Sequence, residues 1–121
     1  MPKESRIKEL IRQVEQGNIL AAIEEFYVPE VVMQENRKAP TIGIAANIER
    51  EKEFLANLLH LHESRAVGYA ATGDNVAINW ILDFTTRNGN RVRVEQVSWQ
   101  LWKEDCIIQE RFFYDSASVS A

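Results

Sequence analysis

One cysteine, three prolines and five glycines in 121 residues leave this chain little covalent or conformational punctuation. Cys106 stands alone, so no disulfide can form within the chain, and a packed thiol in a reducing compartment is the expected setting. No apolar run approaches the roughly 20 residues that cross a bilayer. The stretch from Met1 to Arg12 is charged rather than apolar, as expected of a cytoplasmic protein with no membrane contact. Basic residues are in the minority, 14 against 18 acidic ones, for a net charge of −4. Nucleic-acid binding needs a basic face, so that partner is not expected. Arg87, Arg91 and Arg93 do cluster, but around Asn88-Gly89-Asn90, where a solvated hairpin end accounts for them.

Motifs for cofactors and metals are missing as well. No Gly-rich loop leads into Lys-Ser or Lys-Thr at a helix start. His60 and His62 are expected to straddle the end of a helix, at a spacing that keeps them off one face, and no second His or Cys pair completes a tetrahedral set. Ser98, His60 and an acid could be grouped as a triad, but nothing here has the form of a nucleophile elbow. No metal and no cofactor is expected.

What is present is the composition of an ordinary globular chain, 45% hydrophobic and 26% charged, at a length that suits one domain. Ile7, Leu10, Ile11 and Val14 recur at i, i+3, i+4, i+7 and predict a helix from about Lys3 to Gln16. Gly17 suits the left-handed position after it, and Asn18 suits an N-cap for a second helix with Leu20, Ile23, Phe26 and Tyr27 inward. Pro29 is expected to stop that helix. Val31 to Glu35 reads as a strand, and a polar connection follows. A third helix is expected from about Ala45 to Leu61, with Ile48, Phe54, Leu55, Leu58 and Leu59 on one face and Glu49, Arg50, Glu51, Lys52 and Glu53 in solvent.

The period then becomes alternating. Glu63 to Ala71, Val76 to Arg87, Arg91 to Lys103 and Cys106 to Tyr114 read as four long strands, with Asn88-Gly89 marking a hairpin. The ordered core should run from about residue 4 to 115, with 116–121 as a flexible tail. Helices first and strands last give an α+β fold. Along the second long strand Val76, Ile78, Trp80, Leu82 and Phe84 hold one phase. The third breaks step: Val92 and Val94 are even, whereas Val97, Trp99 and Leu101 are odd. Either a bulge near Glu95-Gln96 shifts the phase, or both faces are covered at different places, and either way the sheet bends.

Gly17-Asn18 before a short helix, Tyr27-Val28-Pro29-Glu30-Val31-Val32 entering a strand, Ile48 to Leu59, Gly73-Asp74-Asn75-Val76-Ala77-Ile78-Asn79-Trp80 and Ile108-Gln109-Glu110-Arg111-Phe112-Phe113-Tyr114-Asp115, in this order and spacing, resemble the nuclear transport factor 2-like superfamily, in its SnoaL-like branch. The resemblance spans roughly Ile7 to Asp115. It implies a cone in which three N-terminal helices pack against a strongly curved, mostly antiparallel sheet around an internal pocket, with the outer sheet face pairing to a second copy. It implies a carboxylate base at the end of the first strand, where Glu35 stands. It also implies a Tyr where Leu10 stands, an acid where Ser98 stands and, in the epoxide-hydrolase-like members, an acid where Phe112 stands, so no acid–base set is complete.

Glu35 is either the base beside the cavity or a solvated acid next to Arg37 and Lys38. Glu110 either faces the cavity in phase with Phe112 and Tyr114 or pairs with an arginine. Gln96, Ser98 and Gln100 would ordinarily face water, with Val97, Trp99 and Leu101 in the core. The family facing reverses this: the pocket is then lined by Tyr27, Trp80, Phe84, Ser98, Gln100, Glu110, Phe112 and Tyr114. Ile81, Val97, Trp99, Leu101, Ile107 and Phe113 then form the outer, homodimer face. The expected function is binding of an unidentified small apolar molecule. The alternative is isomerase, cyclase or hydrolase chemistry on a small apolar carbonyl or polyketide-like substrate, with Glu35 as base.

Overall fold

The computed structural model describes residues 1–119. In chain order the elements are helix α1 (Glu4–Glu15), helix α2 (Ile19–Phe26), strands β1 (Tyr27–Glu35) and β2 (Thr41–Ile42), helix α3 (Ile44–Ala56), then strands β3 (Leu58–Thr72), β4 (Asn75–Thr86), β5 (Arg91–Lys103) and β6 (Cys106–Tyr114). A 3-10 turn over Ser116–Ser118 follows, where Asp115 accepts from the Ala117 N–H. Residues 120 and 121 of the expected tail lie outside the described residues.

α1 buries Ile7 and Leu10 and is followed, past its C-cap Gln16, by Gly17, whose φ of 83° is the left-handed conformation that a side chain would strain. Asn18 opens α2 through its backbone, its carbonyl accepting from the Ala22 N–H at 2.9 Å, while its side chain makes no cap. α2 stops at Phe26, earlier than expected, and Pro29 lies inside β1. The pairing of β1 with β6 slips between Tyr27 and Val32, so the missing proline N–H falls in an irregular stretch. The third helix also ends early. Leu58 pairs with Thr86 of β4, Arg87 donates its backbone N–H to the Asn57 carbonyl (3.0 Å) and its Nε–H to the Ala56 carbonyl (2.7 Å), and residues 58–61 become strand. Leu59, expected on the inner helix face, is 59% exposed. His60 and His62 accordingly sit two apart on a strand, their rings 4.6 Å apart, not at a helix end.

The six strands form one sheet in the order β2-β1-β6-β5-β4-β3, with β1 parallel to β6 and the other neighbours antiparallel. β3 slips register against β4 at three places, and each slip adds twist and bend. That curl brings β3 over α1, where Tyr69 donates to Glu4 (3.0 Å), the Ala66 N–H to Glu15 (3.0 Å) and Ser64 to the Val14 carbonyl (3.4 Å). Between them lies the core of Ile7, Leu10, Ile23, Phe26, Val31, Ile78, Trp102 and Ile107, each at most 2% exposed.

β4 and β5 pair without a slip from Asn75↔Leu101 to Thr85↔Arg91, so no bulge sits at Glu95-Gln96. Nor are both faces covered: one phase runs through the whole strand, and only one face is buried. Val92, Val94, Ser98, Gln100 and Trp102 are buried on one face, whereas Val97 and Leu101 are half-buried and Trp99 is 47% exposed on the other. Phe113 shares that outer face at 43% exposure, and Ile81 is half-buried. Ile107, expected there too, is fully buried in the core. Leu101 pairs with Gln109 but Trp102 with Ile107, and the extra residue Ile108 turns Ile107 inward. Among the described residues no helix is long and apolar enough to cross a membrane.

Trp102 fills the centre of this core and donates its indole N–H to Gln100 at 2.9 Å. Trp102→Ala should lower the free energy of unfolding by about 3–5 kcal/mol in urea titrations.

Candidate functional site

A cleft of about 270 Å³ opens between the helices and the concave sheet face, walled by residues that include Leu10, Val14, Ile19, Met33, Phe54, Leu55, Trp80 and Phe112. Glu35, Phe54, Leu58, Leu82 and Gln96 also border an outer recess of about 420 Å³, so these five mark a waist between two chambers. The apolar walls follow from the inward phases of β4 and β6 and from one side of α3. The polar groups are fewer, and each is held by a specific element.

Glu110 enters from β6, opposite Met33 of β1 and Gln100 of β5. It is 2% exposed. The Tyr27 hydroxyl lies 2.5 Å from its Oε1, and Gln100 Nε2 donates to its Oε2 at 2.7 Å. The Trp102 indole can only donate, so it fixes the Gln100 amide with its oxygen toward Trp102 and its NH₂ toward Glu110. Glu110 Oε2 must therefore accept, and any proton the carboxyl carries sits on Oε1, against Tyr27. Burial pushes the Glu110 carboxyl up to about 7, against the lowering effect of these two hydrogen bonds, and burial together with Glu110 pushes the Tyr27 phenol up. The arginine alternative does not apply: no salt bridge reaches Glu110 among the described residues.

Glu35 closes β1. Asn36, next in the chain, takes a positive φ of 51°, donates its N–H to the Phe112 carbonyl (2.8 Å), accepts from the Tyr114 N–H (3.1 Å) and takes the Arg111 Nε–H on its own carbonyl (2.9 Å). These bonds bind the strand end to β6 and set Glu35 where Tyr114 donates to it at 2.8 Å. Burial, then Glu35, pushes the Tyr114 phenol up to about 12.

Other expected lining residues divide. Tyr27, Trp80, Gln100, Glu110 and Phe112 border the inner chamber; Phe84 and Tyr114 border the outer recess. Ser98 is fully buried but borders neither, and its hydroxyl accepts from the Trp80 indole at 3.1 Å. Ile81, assigned to the outer row, also borders the inner chamber.

The sequence reading missed Arg50 and Glu51. Both were expected in solvent; both are half-buried and line the cleft, while Glu49, Lys52 and Glu53 are exposed as expected. Arg50 donates to Glu51 (3.1 Å) and reaches Asn47 Oδ1 (3.4 Å) and Met33 Sδ (3.7 Å). Asn47 is fully buried, its amide donating to the Gly43 (2.8 Å) and Thr41 (3.1 Å) carbonyls. Burial raises the Glu51 carboxyl above its ordinary range, Arg50 opposes this, and Glu35 adds to it. A signal was available: Glu51 is three residues after Ile48, three before Phe54 and four before Leu55, so it lies on the apolar stripe. Among the described residues no group of three or more His, Cys, Asp or Glu is arranged to hold a metal ion.

The SnoaL-like domain matches residues 4–114, and the chain belongs to that family. Among solved structures, a protein described as a SnoaL-like polyketide cyclase from Mesorhizobium loti superposes with a TM-score of 0.84 at 23% identity, over 94% of this chain and 100% of that one. One described likewise from Jannaschia sp. CCS1 gives 0.83 at 18% identity, over 98% and 92%. A protein described as having a ketosteroid isomerase-like fold, from Catenulispora acidiphila and solved in complex with trimethylamine, gives 0.80 at 12%, over 98% and 91%. These likenesses establish the cone-shaped α+β fold. No curated protein matches.

Glu110 links the site to stability. Its carboxyl holds a proton in the folded state up to about pH 7 but in the unfolded chain only to about 4.5. Between those values the folded state binds more protons, so its contribution to stability falls as pH rises and is flat above about 7. Urea unfolding should show wild type losing on the order of 3 kcal/mol relative to Glu110→Gln between pH 4.5 and 8.

Proposed function

We propose that this chain binds a small, largely apolar molecule carrying one oxygen function, its body against Trp80, Phe54 and Phe112 and its oxygen toward the polar end of the cleft. The observation that supports this most is the cleft itself: apolar walls on which a few polar side chains, Glu35, Arg50, Glu51 and Gln96, converge. Binding of 2-tetralone, a neutral aromatic ketone, followed by ligand-observed NMR tests the reading. Saturable binding is expected, at least tenfold weaker in Leu82→Trp, which fills the waist. Binding that Leu82→Trp leaves unchanged would move the ligand elsewhere on the surface.

The second reading is acid–base chemistry on a small apolar carbonyl or polyketide-like substrate, with Glu35 as base. The Tyr114–Glu35 hydrogen bond at the waist favours it, since it aims a carboxylate at both chambers. Leu10 and Phe112, apolar where related enzymes carry polar groups, weigh on the side of binding.

A cytoplasmic setting fits the single half-buried Cys106. The hairpin arginines do not suit a nucleic acid, because Arg91 makes two 3.1 Å bonds to Asp83, and Arg93 bonds Glu63 (3.1 Å) and Asp83 (3.4 Å).

We also propose that two copies meet through the outer sheet face. Val97 pairs with Phe113 and lies beside Trp99 and Leu101, an apolar row in which Trp99 and Phe113 are exposed and which the helices, on the other face, leave uncovered. Light scattering should show a dimer at micromolar concentration. Trp99→Ala should weaken it by about 2 kcal/mol, and Val97→Glu should give monomer. A wild-type monomer would exclude this arrangement.

A further inference from the structure

We propose that Glu51 of α3 is the proton donor to the oxygen of the bound molecule, acting across the cleft from Glu35, which takes a proton from the carbon beside that oxygen. This rests on the reading of the cleft as the site for a small oxygen-bearing molecule.

Three carboxyls line the inner chamber from three elements: Glu35 from β1, Glu51 from α3 and Glu110 from β6. Their hydrogen bonds separate their roles. Glu110 has Oε1 against Tyr27 and Oε2 held by Gln100, which Trp102 locks in turn. Neither oxygen can reach a guest unless that chain opens. Glu51 accepts from Arg50 on Oε1, and among the described residues no hydrogen bond reaches its Oε2. Glu35 is bound on Oε1 by Tyr114, and its Oε2 is likewise left open. Each of these two acids thus offers one oxygen to the cleft.

Their surroundings assign the proton. Burial is the larger influence on Glu51, and the charge of Glu35 adds to it; Arg50 alone opposes. Glu110 and Tyr27, the other titratable groups that feel Glu51, are both buried and bring no positive charge. Burial and the nearby charge of Glu35 thus both favour the protonated form of Glu51. Arg50, pinned by Asn47 and Met33, holds Glu51 against the cleft, so the donor sits on a rigid helix.

With a ketone the step balances. The Glu51 O–H proton passes to the carbonyl oxygen while Glu35 removes the proton from the adjacent carbon. The C–H electron pair becomes the C=C bond of the enol, and the C=O π pair forms the new O–H bond. Glu51 ends ionised, Glu35 ends neutral, and the total charge is unchanged. Reversal in D₂O, after Glu35 exchanges its proton with solvent, returns the ketone with deuterium on carbon.

The experiment follows the loss of the 2-tetralone α-proton signals in D₂O by proton NMR, with binding measured on the same full-length samples. Wild type should exceed the buffer rate, and that excess should fall on the alkaline side as Glu51 loses its proton. Glu51→Gln should bind the ketone within about threefold of wild type, exchange about 10²-fold more slowly and lose the alkaline fall. Glu51→Asp should recover part of the rate, which separates proton donation from a structural role. A Glu51→Gln protein that exchanges like wild type, or keeps the alkaline fall, overturns the proposal. So does a wild type that binds the ketone without exchanging it, while leaving the binding reading intact; failure to bind overturns both.

Discussion

The hydrogen-bond chain from Trp102 through Gln100 to Glu110 and Tyr27 organises this molecule. It begins at a side chain that can only donate, so the amide that follows has its orientation imposed, and it runs through a carboxyl only 2% exposed to end at the Tyr27 phenol. It also ties three elements together, since Trp102 and Gln100 belong to β5, Glu110 to β6 and Tyr27 to the start of β1. An unpaired polar group at such depth is costly, which makes this arrangement of strands hard to exchange for another.

Around that chain the sheet is inverted relative to ordinary amphipathic strands. β5 turns Ser98 and Gln100 inward and shows Trp99 to the outside, because its pairing with β4 runs without a slip and even residues stay on one face throughout. The curl comes from β3, with three slips against β4, and the late phase change comes from Ile108 in β6. The sheet closes over α1 at one edge and leaves the cleft where α3 crosses it. α3 completes the site by bringing Arg50 and Glu51 under a sheet already carrying Glu35 and Glu110.

Family membership and function separate at this point. The SnoaL-like match covers nearly the whole chain, and the fold agrees with solved relatives, yet those relatives share less than a quarter of its residues. What the fold hosts is decided by side chains in the cleft. Here Leu10 and Phe112 supply apolar surface, and the acids come from other positions.

Local pattern alone determined much of this protein. Apolar periodicity placed α1, the turn at Gly17-Asn18 and the bounds of β5 and β6, because those signals act over neighbouring residues. The alternation in β4 likewise marked Trp80 and Phe84 as inward. Tertiary pairing decided the rest. Leu58 to Leu61 carry helix-compatible apolar spacing but are taken by β4, and Arg87, just after that strand, bonds the carbonyls at the end of α3. Ile107 has the parity of the outer row, and one extra residue, Ile108, reverses it. Arg50 and Glu51 look like solvated charges until the curved sheet supplies a wall opposite them. Whether a charge on a helix stripe meets water or a cavity depends on what packs against it, and that partner lies far away in the chain.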